Sequence, residues 1–139
     1  QSQLDHATIA KQRGMRCVNS SLQLDLWGQA NSEMINGMQH SGVGGQLDFL
    51  RGCQMSDSAL SILVMPSTAA GGTISRIVPR IGDNAVTATR YDTQVVVTEQ
   101  GIALLRDASV RQKAQRLIAI AHPDHQAELT DEAKRSGLI

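Results

Sequence analysis

Apolar residues along the chain follow two patterns that predict β-strands. Residues 22–26 place leucine at every second position, and this period of two predicts a half-buried strand. The continuous apolar run over 60–65 ends at Pro66, which is typical of a buried strand. Clusters of Val, Ile and Thr predict three more strands, over 74–78, 85–89 and 94–98.

The last third of the chain has the spacing of amphipathic helices. Ser109 can cap a helix whose apolar positions return every three or four residues, with Arg and Lys off that stripe. The His-Pro pair at 122–123 ends this helix and starts a second one over 124–135, which Gly137 closes. Strands in the middle of the chain with helices around them indicate the α/β class, and the strand order stays open.

The first 14 residues are mixed and polar and end at Gly14. They are typical of a frayed helix or of the tail of an upstream segment. They have no apolar centre, so we do not expect them to be a signal peptide. No apolar run in the chain approaches the ~20 residues that a membrane helix needs, so we expect no membrane partner.

Composition narrows the function classes. The chain has 139 residues, a length typical of one domain, and its 13 Lys and Arg balance its 13 Asp and Glu. Zero net charge argues against nucleic acid as the main partner, and one Phe, one Trp and one Tyr are too few for a base-stacking platform. Cys17 and Cys53 do not build a disulfide framework, which favours a reducing cytoplasm.

A glycine-rich segment is the most informative local feature. Residues 36–45 hold four of the 12 glycines and predict a loop, with a helix beginning at Gln46. Gly42, Gly44 and Gly45 would expose backbone N–H groups that bind phosphate or stabilise an oxyanion. The spacing matches neither the dinucleotide fingerprint nor a P-loop. A tight strand-to-helix connection is the alternative interpretation.

Polar side chains near predicted strand ends are weaker candidates. Ser67 and Thr68, in a loop over 66–72, can donate to a ligand oxygen or cap the loop itself. Glu99 follows a predicted strand and is either a catalytic acid or a capping or ion-paired carboxylate. Glu33 lies in a polar turn and is expected to be solvated. Three arginines can clamp a carboxylate or phosphate, or form surface ion pairs: Arg76, Arg80 and Arg90.

The histidines do not indicate a metal centre. His122 and His125 are three residues apart, but two histidines are too few for a structural zinc site, and no cysteine is close to them in the sequence. His122, directly before a proline, is expected to be a helix-end residue. We therefore predict no metal site.

Several ordered motifs resemble one protein family. Residues 19–29 read N-S-S-L-Q-L-D-L-W-G-Q and are similar to the N-S-x-x-x-x-D-L-x-G-Q stretch of the acetyl-CoA hydrolase/transferase family. Residues 41–49, S-G-V-G-G-Q-L-D-F, resemble the G-x-G-G-Q-x-D-F loop of that family, with R-G following at 51–52. Further motifs fall in the same order at 66–68, 75–79, 86–92, 97–106 and 117–123. The resemblance covers about residues 16–138.

The resemblance implies a fold and a domain. Residues 16–139 would be the C-terminal CoA-transferase domain, its CoA-binding part, and residues 1–15 the remnant of an upstream segment or a linker. The implied fold is an open α/β sheet with flanking helices, of the NagB/RpiA/CoA-transferase type. An isolated C-terminal part should expose the apolar surface that meets its missing domain, so we also expect self-association into a homo-oligomer.

The resemblance also implies a reaction. In this family a glutamate attacks an acyl-CoA, a glutamyl-CoA thioester forms, and a second carboxylic acid takes the CoA. The acids are of the acetate, butyrate or 4-hydroxybutyrate type. Coenzyme A is a substrate here, and no tightly bound cofactor is expected. The family's nucleophilic glutamate lies upstream, so we expect no catalytic residue in this chain, and its expected partners include the N-terminal CoA-transferase domain.

Site residues are carried over from the family's loop. The resemblance assigns contacts with the acyl-CoA oxyanion to Gly42, Gly44, Gly45 and Gln46. It assigns weaker substrate contacts to Ser41, Pro66 and Ser67. The alternative is a non-catalytic CoA-binding or assembly module that retains the fold, and CoA exchange distinguishes the two.

Overall fold

A computed structural model describes residues 5–139, in which short strands alternate with helices. The helices of this range are α1 (His6–Ala10), α2 (Gln46–Gln54), α3 (Val110–Ala119) and α4 (Pro123–Arg135). Its strands are β1 (Arg16–Ser20), β2 (Gln23–Asp25), β3 (Ala30–Asn31), β4 (Met34–Ile35), β5 (Met38–Gln39), β6 (Leu60–Val64), β7 (Thr68–Ala69), β8 (Ile74–Ser75), β9 (Ile77–Val78), β10 (Val95–Thr98) and β11 (Gly101–Leu104). The predicted α/β class is confirmed.

The central sheet has the strand order β1-β6-β10-β11. β1, β6 and β10 are parallel, and β11 pairs with β10 in the antiparallel sense. Parallel neighbours need a crossover, and α2 lies in the connection between β1 and β6. The three parallel strands therefore end at the same edge. A smaller sheet, β3-β2-β9, and two hairpins, β4-β5 and β7-β8, lie outside the central one.

The main core lies between the central sheet and the helices. Leu63 of β6 and Val96 of β10 are fully buried, as are Leu50 of α2 and Leu117 of α3. These aliphatic side chains form one cluster, as expected for a chain with so few aromatic residues. Burial of each such side chain stabilises the fold by roughly 1.5–3 kcal/mol.

The helix predictions are largely confirmed. α2 begins at Gln46 as predicted. Ser109 caps α3 through a capping box with Gln112, in which each side chain accepts the other's backbone N–H. His122 caps α4, since its Nδ1 accepts from the Asp124 N–H at 3.2 Å. Within the described range, no helix has the length and apolar character needed to cross a membrane.

The predicted strand over 85–89 is wrong. This segment forms only one isolated bridge, between Ala88 and Ala30. The N–H and hydroxyl of Thr89 both donate to the Asp92 carboxylate, at 3.0 and 2.8 Å. Threonine side chains that bond locally compete with a strand ladder, so β propensity alone misassigned the segment.

Two other segments are more divided than predicted. The single strand expected over 74–78 is split into β8 and β9, because Arg76 connects two sheets: its N–H donates to the Ser67 carbonyl and its carbonyl accepts from the Leu24 N–H. The loop expected over 36–45 contains β5, which pairs with β4 across a turn at Asn36 and Gly37. The loop over 66–72 likewise contains β7 and a short 3₁₀ turn.

The periodicity of the sequence did not predict the two edge strands of the central sheet, and it misassigned one position of β2. β1 and β11 were not predicted, and each contains a single buried residue, Cys17 and Ala103 respectively, so neither has a repeating apolar signal. In β2 the expected alternation breaks at Asp25, which is as fully buried as Leu24.

α1 packs against α2 through a glycine. Ile9 of α1 is buried in a small cluster with Cys17, Cys53 and Ala59. A Cβ at Gly52 would lie 2.5 Å from the Cβ and Cγ2 of Ile9, so glycine is required for this approach. The helical alternative for the first 14 residues holds over His6–Ala10. Residues 1–4 of that prediction lie outside the described residues, and a domain boundary after residue 15 stays a prediction.

Gly52→Ala is expected to lower the free energy of unfolding by about 2 kcal/mol, because the β-branched Ile9 cannot move aside without shifting α1. Urea unfolding measures this change. Gly42→Ala is the matched control, since no described heavy atom lies within 4 Å of a Cβ there. It should change stability by less than about 0.5 kcal/mol. Equal stability of the two variants would show that α1 does not pack as described.

Candidate functional site

The carboxyl ends of the parallel strands surround an open, largely apolar concavity. β1 ends at Ser20, β6 at Val64 and β10 at Thr98, and all three residues line it. Pro66 and Glu99, just beyond β6 and β10, complete the wall. Ligands of open α/β sheets lie beyond the carboxyl ends of strands, so this edge is the candidate site.

Glu99 and Ser67 are joined at this edge. The Glu99 carboxylate accepts the Ser67 N–H at 2.9 Å and also the Ser67 hydroxyl. The hydroxyl first, and the backbone N–H second, lower the pKa of Glu99 to about 2. A carboxylate with such a pKa is charged at neutral pH and cannot donate a proton as a catalytic acid. Among residues 5–139, Glu99 caps no helix and forms no ion pair, so neither alternative role is seen in the described part of the chain.

Ser67→Ala is expected to raise the pKa of Glu99 from about 2 towards its ordinary 4.5, because the hydroxyl is the main donor. NMR titration of the side-chain carboxyl measures this directly. Because the folded-state pKa is depressed, the stability that Glu99 contributes is present above pH 4.5 and is lost as the pH falls towards 2. Thr130→Val, which removes a hydroxyl from α4, should leave the Glu99 titration unchanged. A Glu99 midpoint near 4.5 in the unmodified protein would contradict the described contact.

The glycine-rich segment leads into α2. Gly42 and Gly44 are exposed, and in the described part of the chain a Cβ at either would meet no heavy atom within 4 Å. Gly44 has a φ of +59°, which favours glycine. Gly45 directly precedes α2 and offers no side-chain cap. The first N–H groups of the helix have no intrahelical acceptor, and such groups suit an anionic oxygen.

Gln46 connects this helix start to the strand edge. Its side chain is buried, and its Nε2 donates to the Ser20 carbonyl at the end of β1 at 3.1 Å. Its Oε1 is buried without a hydrogen-bond partner among the described residues. Gln46 therefore ties the start of α2, directly after the glycine-rich segment, to the edge of the sheet where β1 ends.

The other residues predicted to contact the substrate, Pro66, Ser67 and Ser41, lie in two separate places. Ser67 is fully buried, and Pro66 before it is exposed on the wall of the concavity. Ser41 is exposed and lies against the connection between β3 and β4, where its hydroxyl donates to the Ser32 carbonyl at 3.3 Å. Its N–H donates to the Glu33 carbonyl at 3.1 Å. Ser41 therefore holds the middle of the glycine-rich segment against that connection.

Asn19 is a polar residue of this edge that the sequence reasoning did not select. It lies next to the end of β1 on the wall of the concavity. Its Nδ2 is buried and has no hydrogen-bond partner in residues 5–139. An unpaired buried donor that lines a concavity is a candidate ligand contact. Its place as the first residue of the 19–29 motif was the available signal.

The second half of that motif is structural. Asp25 is fully buried, and Oδ1 accepts the N–H groups of Trp27 and Gln29, both at 3.0 Å, while Oδ2 accepts Nε2 of Gln29 at 2.8 Å. Burial raises the pKa of Asp25, although these hydrogen bonds oppose it. Gly28, inside this turn, has a φ of +90°. The motif therefore closes a tight turn.

A second pair of motif residues joins α2 to the segment before β10. Nε of Arg51 lies 3.2 Å from Oδ1 of Asp92. Burial works to raise the pKa of Asp92, but the hydrogen bonds from Thr89 and Arg51 outweigh it and leave that pKa below its ordinary value. The ion pair fixes α2 and with it the glycine-rich segment.

One expectation about charged residues needs correction. Glu33 is not simply solvated, because its carboxylate accepts the Thr87 hydroxyl at 2.9 Å. Asp92 is close in sequence to Arg90 but pairs with Arg51. Arg76 is half-buried, donates to the Leu22 carbonyl at 3.3 Å, and has a buried Nε without a partner in the described chain.

Comparison with known families decides the relationship. Residues 2–133 match the model of the acetyl-CoA hydrolase/transferase C-terminal domain. The chain belongs to this family. The acetyl-CoA hydrolase/transferase motifs expected from the sequence therefore correspond to a real relationship.

Relatives of known name place the chain more closely. It is 46% identical over 132 residues to a succinyl-CoA:cyclohexane-1-carboxylate CoA transferase of Geobacter metallireducens, covering 94% of this chain and 30% of that protein. It is 44% identical to a 4-hydroxybutyrate coenzyme A transferase of Clostridium kluyveri, covering 91% of this chain and 30% of that protein. Among solved structures, RipA of Yersinia pestis superposes with a TM-score of 0.91 and 48% identity over 98% of this chain and 31% of its own. The chain thus spans about 30% of the length of these relatives.

Proposed function

We propose that the protein transfers CoA from an acyl-CoA to a carboxylic acid through a glutamyl-CoA thioester. In this proposal residues 16–139 provide the CoA-binding part, and the nucleophilic glutamate lies upstream of this chain. One observation supports the assignment most strongly. The uncapped start of α2 is tied by Gln46 to the end of β1, at the strand edge that also holds Pro66 and Ser67.

The proposed chemistry needs an oxyanion site. A carboxylate oxygen of the glutamate attacks the thioester carbon, and the carbonyl oxygen gains negative charge. Backbone N–H groups at Gly44, Gly45 and Gln46 would stabilise that charge. The CoA thiolate leaves, attacks the glutamyl carbonyl of the resulting anhydride, and releases the first acid. A second acid then takes the CoA by the same steps in reverse.

The two glutamates considered in the sequence analysis, Glu99 and Glu33, do not suit the nucleophile's role. Both oxygens of Glu99 accept hydrogen bonds from Ser67, and its lowered pKa makes it a weak base. Glu33 is hydrogen-bonded to Thr87. A fixed negative charge at Glu99 can instead position Ser67 and the loop that lines the concavity. These contacts support a glutamate supplied from elsewhere in the enzyme.

We propose small carboxylic acids of the acetate, butyrate or 4-hydroxybutyrate type as substrates. We propose two partners for this chain, an N-terminal CoA-transferase domain and a second copy of the protein. The names of the relatives include 4-hydroxybutyrate and butyrate CoA-transferases. Large apolar side chains are exposed on the two edge strands of the central sheet, and such a surface supports the proposal of these partners. They are Val18 on β1 and Ile102 and Leu104 on β11.

CoA exchange tests the proposal. The complete gene product is incubated with butyryl-CoA and isotope-labelled acetate, and labelled acetyl-CoA is the expected product. Release of free CoA thiol without labelled acetyl-CoA would instead indicate a hydrolase. Neither product, with butyryl-CoA, acetyl-CoA or 4-hydroxybutyryl-CoA as donor, would overturn the proposal and favour a non-catalytic module of the same fold.

A further inference from the structure

Three cations gather around two aromatic rings at the end of the central sheet opposite the candidate site. The residues next to them locate this cluster. Gln94, just before β10, accepts the N–H of Leu105, just after β11, so both lie at the sheet end away from Glu99. A Cβ at Gly28 would lie 3.6 Å from Leu105 Cδ1 and 3.8 Å from Lys113 Cδ. The turn that holds Trp27 is therefore at this opposite end.

The cations lie over the rings. Cζ of Arg80 is 5.0 Å from the centroid of the Trp27 ring, and Cζ of Arg90 is 5.9 Å from it. Cζ of Arg90 is also 5.1 Å from the Tyr91 ring, and Nζ of Lys113 is 5.7 Å from the same ring. We call Arg80, Arg90 and Lys113, with these two rings, the Trp27–Tyr91 cluster.

In the described part of the chain, the cations of the cluster are not paired with carboxylates. Among residues 5–139, none of its three cations lies within ion-pair distance of an Asp or Glu. The carboxylate of Asp107, on the wall of an adjoining concavity, lies 4.0 Å from Nε of Arg106. The side chain of Asp107 is 94% exposed. This concentration of positive charge occurs in a chain whose formal net charge is zero.

Two of the cations repel each other in a half-buried setting. Nζ of Lys113 donates to the backbone carbonyl of Arg90 at 2.8 Å, which holds the ammonium beside the guanidinium of the same residue. Burial first, and the Arg90 charge second, lower the pKa of Lys113. An anion between them would remove this repulsion.

The surface offers room for such an anion. Trp27, Gln29, Arg80 and Arg90 line a concavity of about 260 Å³. A second concavity of about 430 Å³ is lined by Arg90 and Lys113, with Arg106 on its wall. Arg90 borders both, so one ligand group could contact it from either side.

We infer that the Trp27–Tyr91 cluster is a binding site for a phosphate-bearing ligand. Guanidinium groups pair with phosphate in a planar, two-bond geometry, and a lysine adds a point charge. Three unneutralised cations favour a dianionic phosphate or pyrophosphate over a single carboxylate. The site is separate from the strand edge and does not depend on the transfer reaction. Its phosphate could belong to a free nucleotide or to the phosphorylated end of CoA.

Calorimetric titration of the complete gene product with inorganic pyrophosphate tests the site. Arg90→Gln and Lys113→Gln should each weaken binding by about tenfold, the usual effect of losing one charge-assisted bond. Arg111→Gln is the matched control. It removes one exposed charge from α3, the helix that carries Lys113, and Arg111 is not a member of the cluster. It should change binding less than about twofold. Circular dichroism of each variant checks that it is folded.

A paired titration with CoA and pantetheine distinguishes the two sources of phosphate. If Arg90→Gln weakens CoA but not pantetheine, the site takes the phosphorylated end of CoA. If Arg90→Gln weakens the binding of pyrophosphate and ADP but leaves the binding of CoA unchanged, the site takes a separate nucleotide. Both results support a phosphate site. Absence of pyrophosphate binding, or binding that Arg90→Gln and Arg111→Gln reduce equally, would overturn it, whatever the CoA-exchange assay shows.

Discussion

Replacing Asp25 with alanine is expected to lower the free energy of unfolding by about 4 kcal/mol. The substitution removes the carboxylate that accepts three hydrogen bonds in a buried turn. The donors that lose this acceptor are the backbone N–H groups of Trp27 and Gln29 and the side-chain amide of Gln29. Each such donor costs about 1–3 kcal/mol when it is left unpaired away from water. Urea unfolding followed by circular dichroism measures the change.

Asp25→Asn is the matched variant and should lower the free energy of unfolding by only about 1 kcal/mol. Its carbonyl can still accept both backbone N–H groups that Oδ1 accepts, and the Gln29 amide can turn over to accept from the new NH₂ group. Removing the charge also removes the cost of burial that raises the pKa of Asp25. Equal losses in the two variants would show that the charge, rather than the acceptor geometry, holds the turn.

Gly45→Val is expected to weaken acyl-CoA binding by tenfold or more, because a branched side chain at the start of α2 obstructs the N–H groups proposed to hold the thioester oxygen. The loss of helix stability should be small, about 1 kcal/mol, since Gly45 offers no capping side chain to lose. Titration calorimetry with butyryl-CoA on the complete gene product measures the affinity.

Ala127→Val is the control for Gly45→Val. It places the same side chain on the exposed surface of α4, at a position that does not line the concavity, and should leave the affinity unchanged. Unchanged binding in Gly45→Val would count decisively against the assignment of the glycine-rich segment. A loss of binding in both variants would indicate a general effect on folding.

The family and several elements around the candidate site could be predicted because they rest on short, local signals. The glycines before Gln46, the Ser109 cap and the apolar run over 60–65 each involve neighbouring residues only, and each lies in the predicted element. The α/β class follows from the same signals. The family resemblance depends on the order of the motifs along the chain, which is present in the sequence itself.

Long-range hydrogen bonds explain what could not be predicted. Glu99 and Ser67 are 32 residues apart, and nothing near either in the sequence indicates that one holds the other. The burial of Asp25 depends on donors that follow it in a turn, so its polarity suggested the exposed face of a strand. Arg80 and Arg90 were expected at strand ends, but their common position over Trp27 appears only in the folded chain.

The central claim is that this chain binds the acyl-CoA while a glutamate from elsewhere in the enzyme forms the thioester. Incubating the complete gene product with butyryl-CoA, in the absence of an acceptor acid, should trap that thioester. Intact-mass spectrometry should show one added CoA, and peptide mapping should place it on a glutamate outside these 139 residues. An adduct on Glu33 or Glu99, or no adduct under conditions where CoA exchange proceeds, would contradict the account.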